Sequence, residues 1–473
     1  MDKSKPCVLD LTFPFELTRD QLAAVDAWVS NAYRGSIIYS TGTGKTEIAF
    51  ECAKRRAIEN LSTKDTDKIK IDSNIDSCCN SNNAVVTILF LVPRIILIEQ
   101  NFRRLLSYHI PKESLGVYFG ERKEVREITI STYQSIINNL ELIRYADTVV
   151  FDEMHLLTNS ALSLRKMFRL LNEEERYSSH KKALLGLTAT IDEEHPNYKT
   201  IVSLLPPVKR YMIRDAVQDG RLANPIVIPI KTKLTIEEKK LYDSYSHKIR
   251  KISNDLNISD PQLMRMVLRK GGISAKWASS WYESVRNRKN LINSAHNKIS
   301  AAVELIATKH PLERIMVFSE TVGSITKLKE MLELKKGIKS MIIESKLNSK
   351  ERHEILSRWG VDFYPLLSVH TLEIGYDVPQ VRIAIILAST SNVNQATQRV
   401  GRILRKAEGK HSALIYTVYL SDTHDYTHLG IVRKATQSVS RTRESYYNNA
   451  KNINEATEGN TRLDPFLTQR SAY

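Results

Sequence analysis

Residues 36–46, SIIYSTGTGKT, set a short β-branched run directly against Thr41, Gly42, Thr43, Gly44, Lys45 and Thr46, and the helix-favouring stretch EIAFECAKRRAI follows at once. Few sequence features limit a fold more. Glycines let the backbone bend until several N–H groups face one anion, and the helix that starts there adds the positive end of its dipole. A strand followed by such a loop and then a helix is the opening of an αβ unit, with the loop delivered at the carboxyl edge of a sheet. Lys45 is then within reach of the β- and γ-phosphates of a nucleotide, and the Thr46 hydroxyl can ligate magnesium. The full P-loop pattern asks for glycine where this chain has Tyr39, so the match is partial.

The rhythm that follows supports an α/β fold. Apolar runs recur at Val85–Val92, Ile128–Ser131, Thr148–Phe151 and Leu184–Leu187, with helix-like segments between them. They are continuous rather than alternating, which fits strands buried on both faces of a parallel sheet. The pattern returns at Ile315–Phe318, Ser340–Ile343, Leu366–Val369, Ile383–Leu387 and Ala413–Tyr419, so two αβ lobes with parallel sheets covered by helices are expected. The expected domains are a first lobe at 1–215, a linker with a basic helical accessory segment at 216–300, a second lobe at 301–435 and a polar tail at 436–473. Residues 60–83 are rich in Asn, Ser and Asp and read as a surface insertion, and Gly271–Gly272 divides the helical segment into two arms.

Composition narrows the class of partner. The 473 residues carry a formal charge of +16, which favours polyanions and nucleic acid above all. No apolar stretch reaches the roughly 18 residues of a membrane span. The first ten residues, MDKSKPCVLD, lack the apolar core of a signal peptide, so a cytoplasmic, nucleoid or nuclear protein is expected rather than a secreted one. Cys7, Cys52, Cys78 and Cys79 form no Cys-x-x-Cys pair, and reduced thiols without a metal are expected.

A second chemical element follows the strand Thr148–Phe151, where Asp152–Glu153–Met154–His155 stand at its carboxyl end. Open αβ sheets bind ligands at that edge. Asp152 suits the magnesium, and Glu153 suits the orientation and deprotonation of an attacking water. Later in the chain Gln395, Gln398, Arg402 and Arg405 recur at helical spacing, so one helix face presents them, while Val400 and Leu404 mark the buried side. Arg402 and Arg405 on such a face fit arginine fingers, which stabilise charge on a transferred phosphoryl group.

With these motifs in this order the chain resembles the superfamily-2 helicases of the DExH type, from about residue 15 to 420. The resemblance implies two RecA-like lobes, ATP with magnesium, and a nucleic-acid partner. It implies that Gln21 reads adenine, that Gly375 and Asp377 belong to the nucleotide site, and that His155, Thr188 and Thr190 couple hydrolysis to movement. It also implies that Gln398 assists Arg402 and Arg405, and that Pro93, Arg94, Thr132, Gln134, Ser319, Thr371 and Glu373 grip the strand.

The passage from Arg214 to Pro225 and the basic span 235–300 resemble the XPB and UvsW branch, whose members act on DNA duplexes or branched junctions. XPB carries an Arg-Glu-Asp triplet after its Thr-Ala-Thr motif, where this chain reads Ile191–Asp192–Glu193–Glu194, so the resemblance carries no XPB-like wedge. Taken together, the expectation is a monomeric ATP-dependent helicase or translocase on forked or duplex DNA, acting in repair, recombination or replication with a nuclease or repair partner. An RNA helicase, and a nucleic-acid-gated ATPase switch that recruits a partner without unwinding, stand beside it as alternatives.

Overall fold

The computed structural model describes residues 7–64, 87–158, 162–177, 181–344, 347–369, 380–388 and 393–436. The chain divides into two compact units, Met1–Ala216 and Val217–Tyr473. Among the described residues no helix is long and apolar enough to cross a membrane.

In the first unit the strands are β1 (Arg34–Tyr39), β2 (Ile88–Val92), β3 (Leu115–Phe119), β4 (Arg122–Lys123), β5 (Ile128–Thr132), β6 (Thr148–Phe151), β7 (Ala183–Thr188) and β8 (Pro207–Tyr211). They form one eight-stranded sheet in the order β4-β3-β5-β2-β6-β7-β1-β8. Every pairing is parallel except the short β3–β4 hairpin. The central strands β2, β5, β6 and β7 are buried at every residue, as continuous apolar runs require when helices cover both faces. On one face Leu89, Leu91, Tyr133, Phe151, Met154 and Leu184 belong to a single apolar cluster. Each such side chain contributes about 1.5–3 kcal/mol when fully buried.

Helix Arg19–Ser30 opens on a capping box, in which the Thr18 hydroxyl accepts from the Gln21 amide and the Gln21 side chain accepts from the Thr18 amide. Its far end is fixed by Trp28, which is fully buried and donates its indole N–H to the Leu184 carbonyl at 3.0 Å. Helix Lys45–Lys64 continues through residues 60–64, which polar composition suggests to be insertion; the rest of that segment to 83 lies outside the described residues.

The second unit holds β9 (Asn224–Thr232), β10 (Ile315–Ser319), β11 (Met341–Ile343), β12 (Pro365–Val369), β13 (Ile383–Ile386) and β14 (Ser412–Leu420). They form a six-stranded, wholly parallel sheet in the order β11-β12-β10-β13-β14-β9. Residues 224–232, expected to be linker, are thus a nine-residue edge strand paired with β14. Pro225 and Pro229 lack the N–H that a central strand needs, and the edge is where a sheet tolerates them.

Helices Ile236–Leu256, Pro261–Lys270 and Gly272–Asn293 make the accessory segment, packed on Ile249, Ile252, Met264, Ala278 and Trp281. Gly271 and Gly272, at φ 75° and 80°, separate the last two, as the sequence suggests. A buried ion pair, Lys298 to Asp425 at 2.7 Å, holds helix His296–Glu304 to the end of β14, and the same carboxylate accepts from the Leu420 amide.

Candidate active site

The parallel strands of the first unit all end on one edge, and the predicted chemistry collects there. In sheet order the ends of β5, β2, β6, β7 and β1 carry Gln134, Arg94, Asp152–Glu153, Thr188–Thr190 and the phosphate loop. The residues expected to bind nucleotide therefore sit toward β1, and those expected to grip a strand sit toward β5.

The phosphate loop is held from outside as much as by its own turns. Gly42 and Gly44 have φ of 83° and 86°, a region that side chains disfavour. Any Cβ on Gly44 would also lie 2.2 Å from Gln21 Nε2. That contact exists because Gln21 braces the loop: its carbonyl accepts from the Thr18 amide at 2.8 Å, and its Nε2 donates to the Thr43 carbonyl at 3.1 Å. Thr43 Oγ1 donates to the Ser40 carbonyl at 2.7 Å, and Lys45 Nζ donates to the Tyr39 carbonyl at 3.1 Å. Thr46 stands in the first turn of helix Lys45–Lys64.

Tyr39 explains the missing glycine. Its ring is fully buried and stacks on Tyr211 at 5.1 Å, and its hydroxyl donates to the Asp20 carboxylate at 2.6 Å. The side chain is spent on joining β1 to helix Arg19–Ser30, and the residue offers only its carbonyl to Lys45.

At the end of β6 Asp152 is buried, and burial first, then the Glu153 charge, push its carboxyl up to about 7 against the opposing pull of Lys45. The Glu153 amide donates to Asp152 Oδ1 at 3.0 Å. Glu153 itself is left-handed, at φ 53° and ψ 48°, a strained conformation for a residue with a Cβ. The turn that follows packs closely on β7: a Cβ on Gly186 would meet Met154 Sδ at 2.4 Å, so any larger residue there would displace the buried Met154 side chain.

His155, Thr188 and Thr190 come together as expected. The Thr188 hydroxyl donates its one proton to the Thr190 carbonyl at 2.8 Å, so the 3.1 Å contact with His155 Nδ1 requires the proton to be on Nδ1. The same N–H lies 3.4 Å from Glu153 Oε2. A continuous polar path therefore runs from the acid at the end of β6 to the end of β7.

Magnesium and a nucleotide fit the residues present. Among the described residues the buried hydroxyls of Ser40 and Thr41 at the loop have no hydrogen-bond partner, an arrangement that costs free energy until a polar ligand arrives. Among the described residues no three His, Cys, Asp or Glu side chains could hold a metal by themselves. A magnesium held by Thr46, Asp152, water and phosphate oxygens needs no such cluster.

The expected strand-gripping residues divide. Arg94 and Gln134 are exposed and Pro93 is half-buried. Thr132 is buried, and its hydroxyl caps helix Tyr133–Ile137 by accepting from the Ser135 amide at 3.2 Å. Ser319 is also buried, with its hydroxyl 2.5 Å from Ser324 Oγ at the start of the next helix. Both are expected from the motifs to touch nucleic acid; Thr132 caps its helix, whereas Ser319 ends β10 two residues before Thr321, the cap of the next helix. Thr371, Glu373, Gly375 and Asp377 lie outside the described residues.

Gln398 and Arg402 are half-buried on helix Val393–Ile403, and Val400 and Ile403 are fully buried on its inner side. Arg405, expected on the same helical face, lies beyond the helix and forms a β-bridge with Leu222. The helix stops because its last carbonyls are taken: Lys410 Nζ donates to that of Ile403, and the Ala223 amide to that of Leu404 at 2.7 Å.

Two contributors escaped the sequence reading. Glu47 accepts from Tyr108 Oη at 3.1 Å and lies 3.5 Å from Arg104, so it ties the phosphate-loop helix to helix Ile95–Ser107. Tyr133 Oη donates to the Asp152 carbonyl at 2.5 Å. Neither has a local sequence signal, since each partner is distant in the chain.

Residues 14–193 match the family described as type III restriction enzyme, res subunit, and residues 297–407 match the helicase conserved C-terminal domain. The DNA 3'-5' translocase XPB2 of Sulfurisphaera tokodaii is 26% identical over 434 residues, covering 88% of this chain and 85% of that protein. The DNA 3'-5' helicase XPB of Mycobacterium tuberculosis is 26% identical over 72% of this chain, which spans 54% of that longer protein. Among solved structures, the Pyrococcus furiosus Hef helicase domain superposes with a TM-score of 0.52 at 17% identity, covering 88% of this chain and 99% of that one.

Proposed function

For a chain that belongs to the superfamily-2 helicases and resembles their XPB-like branch, we propose ATP-driven movement on DNA as its activity, in repair, recombination or replication. The observation that carries this reading is the polar path Glu153–His155–Thr188–Thr190 on the edge that also holds the phosphate loop. A simple nucleotide-binding domain has no use for a buried histidine that links its catalytic acid to the end of a second strand.

Each residue then has a physical task. The loop amides between Thr41 and Thr46 bind phosphate, and Lys45 leaves the Tyr39 carbonyl to meet the terminal phosphates. Thr46 and Asp152 hold magnesium, which when bound offsets the charge of the phosphate oxygens. Glu153 orients the attacking water and takes its proton. Arg402, with Gln398 beside it, stabilises charge on the transferred phosphoryl group. Arg94 and Gln134, exposed at the ends of β2 and β5, contact the DNA backbone, which carries no sequence information and suits a motor. The basic accessory helices and the +16 charge favour the same polyanion, and a cytoplasmic or nucleoid setting accords with it.

Movement separates this reading from a gated switch. The full chain should displace streptavidin from biotinylated DNA, or a third strand from a triplex, when ATP and magnesium are present. Lys45→Ala should not. DNA-stimulated hydrolysis without any displacement would replace the motor with a switch that recruits a partner.

A further inference from the structure

One peptide group in the site is gripped at both ends. The Asp152 amide makes the last ladder bond of its strand, to the Leu91 carbonyl at 2.9 Å. Beyond it the carbonyl of Asp152 accepts from Tyr133 Oη at 2.5 Å, while the amide of the same peptide unit, on Glu153, donates to Asp152 Oδ1 at 3.0 Å. The next residue is left-handed Glu153, at φ 53° and ψ 48°. A side chain seldom adopts this conformation unless its surroundings impose it. Rotation of that peptide would relieve the backbone and swing the carboxylate away; the two hydrogen bonds prevent it.

Tyr133 is also the first residue of helix Tyr133–Ile137, between Thr132, which caps that helix, and exposed Gln134. Its strand, β5, is not a neighbour of β6, because β2 lies between them. The buried tyrosine reaches past β2, within the cluster that holds Leu89, Leu91, Phe151 and Met154. Burial and the nearby Asp152 and Glu153 charges keep the phenol protonated well beyond its usual range, so it remains a donor.

We propose that Tyr133 is a positioning residue which carries the state of residues 132–135, read as meeting nucleic acid, to the catalytic carboxylate of Glu153, by fixing the Asp152–Glu153 peptide. This rests on the reading of the chain as a DNA-stimulated ATPase. DNA engaged at Gln134 steadies the first turn of the helix, the turn steadies the phenol, and the phenol holds Glu153 in its strained, water-orienting pose.

The test is steady-state ATP hydrolysis by the full chain with saturating DNA, comparing wild type with Tyr133→Phe. Tyr118→Phe serves as control, since Tyr118 lies in the same cluster and its hydroxyl accepts from Asn139 Nδ2 at 3.0 Å, away from the Asp152–Glu153 peptide. Tyr133→Phe keeps the ring and should lower DNA-stimulated kcat by about 10- to 100-fold, the upper figure being the cost of a misplacement of about 1 Å at a reacting group. KM for ATP and DNA affinity should stay at wild-type values, the melting temperature should fall only by the small amount that one lost hydrogen bond costs, and Tyr118→Phe should behave as wild type. Normal stimulated kcat in Tyr133→Phe overturns the proposal. So does an equal fall in Tyr118→Phe, or a fall matched by lost DNA or nucleotide affinity, because either marks a merely structural hydroxyl. Wild type that DNA does not stimulate refutes the functional reading itself, before any variant is measured.

Discussion

Replacing Asp152 with asparagine should stabilise the nucleotide-free protein at alkaline pH while abolishing its activity. The carboxyl titrates near 3.8 when exposed, and burial with the adjacent Glu153 raises it to about 7 in the fold. Between those values the folded chain keeps a proton that the unfolded chain has released, so stability falls as pH rises through the window and the loss is complete above about pH 7. Three decades of displacement at about 1.4 kcal/mol each set the full cost near 4 kcal/mol.

The substituted asparagine carries no charge, and its side-chain carbonyl still accepts from the Glu153 amide, so this slope should vanish. Urea unfolding of the first unit within the full chain, in magnesium-free buffer from pH 5 to 8, gives the comparison. The stability difference should move in favour of Asp152→Asn by about 2–3 kcal/mol across that range, since about two of the three decades fall within it. Magnesium with nucleotide should close the gap from the wild-type side. Parallel pH profiles for the two proteins would refute the claim that this carboxylate is buried against its own charge.

Three further perturbations test residues of the proposed function. Gly44→Ala places a methyl 2.2 Å from Gln21 Nε2 at φ 86°, so nucleotide binding, read by fluorescence titration, should be lost with the loop geometry. Thr188→Val removes the hydroxyl between His155 and Thr190, a net cost of about 1 kcal/mol per bond; hydrolysis should persist while streptavidin displacement falls. Arg402→Ala should lower ATP turnover by roughly 10³ with DNA affinity retained in a fluorescence titration, and an Arg402 variant of normal turnover would reject the finger assignment.

The sequence made the middle of each sheet legible and its margins much less so. Strands such as β6 and β10 announce themselves because both faces are covered, and Thr148–Phe151 is apolar enough to read without a partner. The strands that escaped notice, β3, β4, β8 and β9, lie at or beside an edge, where Gly116, Lys123, Pro207, Pro225 and Pro229 are tolerated. The alternation of Ile226, Ile228 and Ile230 was the available sign of β9, and the prolines masked it.

In the site, residues that serve by backbone or by charge at a fixed offset were visible: Gly42, Gly44, Lys45, Asp152 and Glu153. Helical periodicity placed Gln398 and Arg402 on their helix but overran its end at Arg405, because Lys410 and Ala223, which take its last carbonyls, are remote or unremarkable in sequence. Thr132 matches a motif, yet a motif does not tell a hydroxyl that meets a ligand from one that caps a helix. The contacts of Tyr133 and Glu47 depend on which strands and helices become neighbours, and no local pattern records that.

The central claim is a DNA-dependent ATPase built on Lys45 and Glu153. Steady-state ATP hydrolysis by the full chain, measured with matched single-stranded DNA, duplex DNA, forked DNA and RNA beside Lys45→Ala, tests it most directly. The account predicts turnover raised by DNA, most by forked or duplex forms, and absent from Lys45→Ala. Turnover equal to that of Lys45→Ala on every substrate, or raised by RNA alone, would contradict it.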